Sequence, residues 1–456
     1  MKTSQISVNF KQIIATIKPL HGVNNSPVAL KEPPEGFSEA GFPFCRLHDA
    51  AGPYGGTHFV DVPNIFPDFK ADPNDLNSYD FAFTDAYLKQ LNASGVEIFY
   101  RLGTTIENNY RIKGYNNHPP ENFKKWAEIC AGIIRHYNHG WGNGFHYNIR
   151  YWEIWNEPEQ QPMWTGTNEE FFEFYSVAAR YLKEKFPDIY IGGYGSCGFY
   201  SVTRPDASEF FGTFPIFFEK FLKYVTSPKT AAPLDFFTWH LYSDQPEEPA
   251  IHAAHVSKVL KKFGLEKTEN IFGEWNYIGH GFDAMKEAPG ASFVASTFCL
   301  LQNSPVDKAL YYDAFPARKY CGLYYYPSEN LTPTYYSFRA FNELYKLKQQ
   351  CEVITDLTSE LYLLAAADDS DNAILLVNNA KSGRIVKMEM IGKSTKKMTC
   401  RITDKCRVFQ EIPFDGESIQ LPPFSVALFT TRLEEAGSSQ SDGEKIELYA
   451  ALDEGL

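Results

Sequence analysis

The chain has 456 residues, of which 44% are hydrophobic and 16% aromatic, and a formal net charge of -13. That length accommodates one large globular domain and a smaller one, and the negative charge argues against nucleic acid or an anionic membrane as a partner. No apolar run reaches the ~18 residues a membrane helix needs. Met1 to Leu20 lacks the apolar core and small-residue cleavage site of a secretory signal. The eight cysteines form no metal-type pair, and Cys130 and Cys299 sit within apolar segments, so they read as reduced core thiols. A cytoplasmic location is expected, or a periplasmic or secreted one if a signal has been removed. The histidines lack ligand spacing, so no metal and no cofactor are expected.

In chain order, Ile6, Val8 and Phe10 alternate with polar residues, and residues 1–17 are expected to supply a strand to a distant sheet. Over residues 18–350, short apolar runs end in polar or charged residues, each followed by a stretch of helical period. The runs are Pro19–Asn25, Phe44–Asp49, Val96–Gly103, Tyr151–Glu159, Ile189–Tyr194, Leu234–Tyr242, Asn270–Asn276 and Ala309–Ala314. Phe123, Trp126, Ala127, Cys130, Ile133, Ile134 and Tyr137 fall on one helical face. Thr167-Asn168-Glu169-Glu170 reads as a capping box ahead of Phe171, Phe174 and Tyr175. The alternation predicts an α/β fold, a (β/α)8 TIM barrel. A doubly wound open sheet is the other architecture, and no Gly-rich phosphate loop follows an early strand to support it.

Two long connections, 50–78 and 104–120, follow the second and third runs and belong to the catalytic face. The first carries Pro53 and Gly55-Gly56, the second Asn108, Asn109, Tyr110, Asn116, Asn117 and His118. Residues 351–432 change to strand-like runs separated by turn residues, which predicts a small all-β, sandwich-like domain. Residues 433–456 form an acidic tail rich in Gly and Ser.

Tyr151-Trp152-Glu153-Ile154-Trp155 opens as a buried strand, and Pro158, with no amide hydrogen, closes it. Asn156 and Glu157 therefore stand where a barrel strand stops, the end at which barrel enzymes carry their chemistry. Glu274 ends the seventh run at the same end, across the mouth. Two carboxyls on opposing walls suit glycosidic cleavage: an acid for the leaving oxygen, and a base or nucleophile for the anomeric carbon. The alternative is a pair of structural carboxylates neutralised by Arg46 and Arg101.

Trp155-Asn156-Glu157-Pro158, followed by Phe236-Phe237-Thr238-Trp239-His240-Leu241-Tyr242 and Gly273-Glu274-Trp275-Asn276, resembles the clan of (β/α)8 retaining glycosidases. Within the clan the chain is most similar to glycoside hydrolase family 39, which includes β-xylosidases and α-L-iduronidases. The resemblance spans roughly residues 20–430. It implies that Glu157 is the general acid/base and Glu274 the nucleophile. It further implies that Asn156 binds the sugar 2-hydroxyl and that Arg46 pairs with Glu274. His48 either meets a sugar hydroxyl or packs beneath the loop. His240 and Tyr242 share one face of the sixth strand by alternation and are assigned to the site.

Trp164, in the loop after Pro158, is expected to stack on a sugar. Trp155 and Trp275 flank the carboxylates, and each is either a flank of the site or core; Trp275 is taken as a candidate substrate contact. Tyr312 and Asp313 end the eighth run as further candidates. The xylosidase type of the family often carries Phe at the place of Trp275 and commonly Gly at that of Asp49. The expected activity is exo-acting, retaining, β-xylosidase-like hydrolysis of an oligosaccharide or glycoside. The alternatives are an α-L-arabinofuranosidase, an α-L-iduronidase-like enzyme, an endo-glycosidase or a non-catalytic carbohydrate-binding barrel. No Lys or Arg pair is dedicated to a uronate. The residues carry no signature of an oligomeric state.

Overall fold

The computed structural model describes residues 2–26, 36–48, 50, 60–105, 117–160, 162–279, 281–355, 360–392 and 397–432. Asp49, Pro53, Gly55-Gly56, Asn108, Asn109, Tyr110, Asn116 and the tail 433–456 lie outside the described residues.

After β1 (Lys2–Thr16) come the barrel strands. They are β2 (Gly22–Asn24), β3 (Phe44–Leu47), β4 (Glu97–Leu102), β5 (Tyr151–Ile154), β6 (Tyr190–Ser196), β7 (Phe236–Ser243), β8 (Glu269–Tyr277) and β9 (Lys308–Tyr311). They pair in chain order and close parallel, β9 returning to β2. Helices follow the strands on the outside. The helix Asn168–Lys185 begins with the capping box read from the sequence, Thr167 and Glu170 exchanging bonds.

Alternation sorts the barrel interior into layers. The lowest layer is apolar: Phe44, Phe99, Tyr151, Phe236, Ile271 and Leu310. Two residues further along the strands stand Arg46, Arg101, Glu153 and Thr238, all fully buried. One more step brings His48 and His240 to the mouth. The polarity of each strand thus rises towards its C-terminal end.

Two strands break strict alternation. Between β7 and β8 the register runs Trp239 with Phe272 and then His240 with Glu274, so Gly273 is an extra residue. This bulge turns Glu274 inward while Phe272 and Trp275 both pack outward in the main core. The carbonyl of Gly273 accepts Asn24 Nδ2 at 2.8 Å. A second register shift lies between Gly193 and Ser196 on β6. Gly195 there has φ +64°, and a Cβ would stand 3.0 Å from Asn156 Oδ1. Glycine is the residue that allows this close approach.

The trailing unit is one nine-stranded, mostly antiparallel sheet. Its strands are β10 (Gln349–Thr355), β11 (Leu361–Ala367), β12 (Asn372–Asn378), β13 (Arg384–Ile391), β14 (Thr399–Thr403), β15 (Gln410–Ile412), β16 (Ser418–Leu421) and β17 (Ser425–Thr430). Their order is β15-β14-β17-β12-β11-β10-β1-β13-β16. β1 fills the place between β10 and β13, antiparallel to the first and parallel to the second. One face carries its own core of Ile6, Val8, Ile374, Leu376, Ala427 and Phe429. The other face, with Leu364, Leu375, Val377 and Leu428, joins the barrel core. Among the described residues no helix is long and apolar enough to cross a membrane.

Candidate active site

Arg46 is the centre of the buried layer. Its Nε donates to Glu153 Oε2 at 2.7 Å, Nη1 to Glu274 Oε1 at 2.8 Å and Asn24 Oδ1 at 2.9 Å, and Nη2 to Asn156 Oδ1 at 2.8 Å. Burial alone would weaken its hold on the proton, but Glu153 and Glu274 more than offset this and raise its pKa. Glu153 also accepts Thr238 Oγ1 at 2.5 Å. Glu153 was not among the sequence candidates. Its parity with Arg46 and Thr238 on neighbouring strands was the signal that could have found it.

Glu274 accepts Arg46 on one oxygen and the Tyr242 hydroxyl, at 2.9 Å, on the other. Burial first, and then Glu274, push the Tyr242 phenol well above its ordinary pKa, so it stays a donor. His48 Nδ1 accepts Arg101 Nε at 3.2 Å, which leaves the proton on Nε2, 3.9 Å from Glu274 Oε1. Arg101 gives its other bond to Asp61 Oδ1 at 2.8 Å. The pairing of Arg101 with a candidate carboxyl is therefore not made, whereas that of Arg46 with Glu274 is.

Glu157 stands opposite. Its Oε1 lies 2.7 Å from His240 Nδ1, and Oε2 accepts Gln160 Nε2 at 2.5 Å. Burial raises its pKa to about 7. His240 is fully buried, and burial lowers its pKa to about 4, so the ring is neutral at neutral pH. Its Nε2 faces Glu274 Oε1 at 3.6 Å. A carboxylate oxygen of Glu157, a ring nitrogen of His240 and a carboxylate oxygen of Glu274 all lie within 4.8 Å of one another. These are also donor types a divalent ion takes, although Arg46 already supplies positive charge at Glu274.

Two aromatic assignments are corrected. Trp164 is 1% exposed, packs on Trp155, Phe171 and Phe174, and donates Nε1 to the Thr167 carbonyl at 3.0 Å. Trp275 is also 1% exposed, stacked on Phe272 and edge-on to Phe298 and Tyr311. Neither can meet a sugar, because each points away from the barrel axis into the helical layer. Trp155 is core as well.

The aromatic rim is instead built by Tyr242, Tyr312, Tyr320 and Phe282. Tyr320 lies 5.8 Å from Tyr242, 5.7 Å from Tyr312 and 4.9 Å from Phe282 between ring centres. Tyr320 is 36% exposed. Asn276 secures this rim: its Nδ2 donates to the Tyr312 and Tyr320 carbonyls at 2.6 and 2.5 Å. Tyr320 and Phe282 carried no sequence signal, since they lie on connections rather than on strands. Asp313 is buried behind the rim. It accepts Asn25 Nδ2 at 3.1 Å, and burial raises its pKa to about 8.

The sequence model described as Glycosyl hydrolases family 39 matches residues 57–273. Over that stretch the chain is similar to the family 39 glycosyl hydrolases. It is 23% identical over 228 residues to a beta-xylosidase of Geobacillus stearothermophilus, a match covering 48% of this chain and 40% of that protein. It is 24% identical over 406 residues to a beta-xylosidase of Caldicellulosiruptor saccharolyticus, covering 82% of this chain and 75% of the other. Among solved structures, a glucosidase from Croceicoccus marinus superposes with a TM-score of 0.75 at 22% identity, covering 95% of this chain and 99% of that one. That superposition takes in both the barrel and the β-domain of this chain.

Proposed function

We propose that this chain is a retaining, exo-acting glycosidase of the family 39, β-xylosidase type, with Glu274 as nucleophile and Glu157 as acid/base. The observation that carries the reading is the separation of the two carboxyls, whose facing oxygens lie within 4.8 Å. Retaining enzymes hold their carboxyls about 5–5.5 Å apart, and inverting enzymes hold them wider to admit water between.

In the first step a Glu274 oxygen bonds to the anomeric carbon, while Glu157 gives its proton to the departing glycosidic oxygen. In the second, Glu157 takes a proton from water, water oxygen bonds to the anomeric carbon, and the Glu274 ester breaks. Arg46 and Tyr242 hold Glu274 in place between steps. Asn156 spends its oxygen on Arg46 and keeps its amide hydrogens for the sugar 2-hydroxyl. Tyr320 offers an apolar face to the sugar ring. Arg46 is buried with its guanidinium taken up by Glu153, Glu274, Asn24 and Asn156, so it is not left for a uronate carboxylate, which favours a neutral glycone. With Arg46 at Glu274 the reaction needs no ion, and activity is expected to survive EDTA.

The test is hydrolysis of nitrophenyl β-xyloside and β-glucoside, with the first product anomer followed by NMR. The expected product is the β anomer, with turnover abolished in Glu274→Ala. An α product, or unchanged turnover in Glu274→Ala, overturns the reading.

A further inference from the structure

Glu157 has φ 49° and Trp155 φ 74°, both in the left-handed region. Residues other than glycine enter that region at a cost and stay only where their surroundings hold them. The turn that presents the proposed acid/base therefore needs a restraint.

The restraint lies in the next strand end. Glu157 N donates to the Gly195 carbonyl at 2.9 Å. Glu159 Oε1 accepts Ser196 Oγ at 2.6 Å and Cys197 N at 2.8 Å. The Cys197 thiol, in turn, faces the Glu157 carboxyl. Residues 157–159 and 195–197 thus remain stitched together beyond the ladder of β5 and β6, which ends at Ile154 and Gly193.

We propose that Glu159 is a positioning residue for Glu157, clamping the turn after β5 to the end of β6. The proposal rests on the reading of Glu157 as acid/base. Glu159 Oε2 is buried with no hydrogen-bond partner among the described residues. A buried, unpaired carboxylate oxygen is costly, and a neutral acid avoids that cost. Burial raises Glu159 to about 8, with Glu157 adding a smaller upward push. The titratable groups facing it are Glu157 on its own turn and Tyr194 and Cys197 on the β6 side. Glutamine copies a neutral acid and keeps the accepting oxygen. Alanine removes the clamp.

The test compares kcat/KM on two glycosides of the sugar the enzyme turns over. One has a dinitrophenolate leaving group that needs no proton; the other has an alkyl leaving group that does. Glu159→Ala is expected to lose on the order of 10–100-fold on the alkyl glycoside, as misplacement of a catalytic group does. On the activated glycoside it should lose less than about threefold, since acid catalysis is not needed there. Glu159→Gln is expected to match wild type on both, and Ser196→Ala to fall between. An even loss on both glycosides, or none, while Glu157→Gln loses selectively on the alkyl one, overturns the clamp alone. Equal losses in Glu157→Gln overturn the reading of Glu157 and the clamp with it. If circular dichroism finds Glu159→Ala unfolded, Ser196→Ala decides: a selective loss supports the clamp and an even loss overturns it.

Discussion

His240 Nδ1 stands 2.7 Å from Glu157 Oε1, and the imidazole is fully buried. A neutral ring has one hydrogen to give. When Glu157 is ionised, that hydrogen belongs on Nδ1; when Glu157 is protonated, the carboxyl donates to Nδ1 and the ring hydrogen moves to Nε2, towards Glu274. His240 is thereby a partner to both states of the proposed acid. With Glu157 raised to about 7, kcat/KM on an unactivated glycoside is expected to fall as pH rises through about 7, where Glu157 loses its proton. A profile flat from pH 6 to 9 would remove Glu157 from the acid role.

Tyr242 contributes one hydrogen bond to Glu274, at 2.9 Å. Bonds to a charged group are worth about 1.5–3 kcal/mol. Tyr242→Phe is therefore expected to lose ~10–100-fold in kcat, with the fold intact by thermal melting. Unchanged kcat would make the phenol a bystander.

Arg46 is fully buried and holds Glu153, Glu274, Asn24 and Asn156 together. Removing one partner of a buried ion pair costs about 3–5 kcal/mol, because the other is left charged and unpaired. Arg46→Met should show that loss in urea denaturation and lose turnover as well. A variant of wild-type stability would mean that water replaces the guanidinium.

The aromatic residues make opposite predictions. Trp164→Ala removes a core side chain and is expected to cost about 3–5 kcal/mol in stability, with little change in KM for molecules that remain folded. Tyr320→Ala removes a rim side chain and is expected to raise KM severalfold at nearly unchanged Tm. Reversed results would return the sugar to the tryptophan.

Stability should also depend on pH. Burial raises Glu157 to about 7, and Glu159 and Asp313 to about 8, from ordinary values of 4.5, 4.5 and 3.8. The buried His21, His240 and His252, lowered to about 3, 4 and 4, are neutral in the fold and half protonated in the unfolded chain at pH 6.5, so they contribute a smaller, opposite effect that fades by about pH 7.5. Between pH 6.5 and about 8 the folded carboxyls still hold protons that the unfolded chain has lost. Folding takes up protons there, so stability falls as pH rises. Tm is expected to be lower at pH 8.5 than at 6.5, and the difference smaller in Glu159→Gln.

Much of the site was legible because barrel strands have period two. Alternation alone puts His240 and Tyr242 on one face of β7, and in the fold the same face continues back through Thr238 to Phe236. The same arithmetic fails on β8. From Ile271, strict alternation would turn Trp275 inward and Glu274 out. Trp164 misled for a related reason. A loop position suggested exposure, but the loop folds back so that its indole fills a space beside Trp155.

The order of apolar and polar runs was enough to determine eight parallel strands, a trailing β-domain and the strand ends that carry Glu157 and Glu274, because periodicity and chain-breaking residues act locally. The extra residue at Gly273, the clamp from Glu159 to Ser196 and the rim around Tyr320 were decided only when distant segments met. Each depends on register or on packing between strands, and neither is written in the spacing of a single segment.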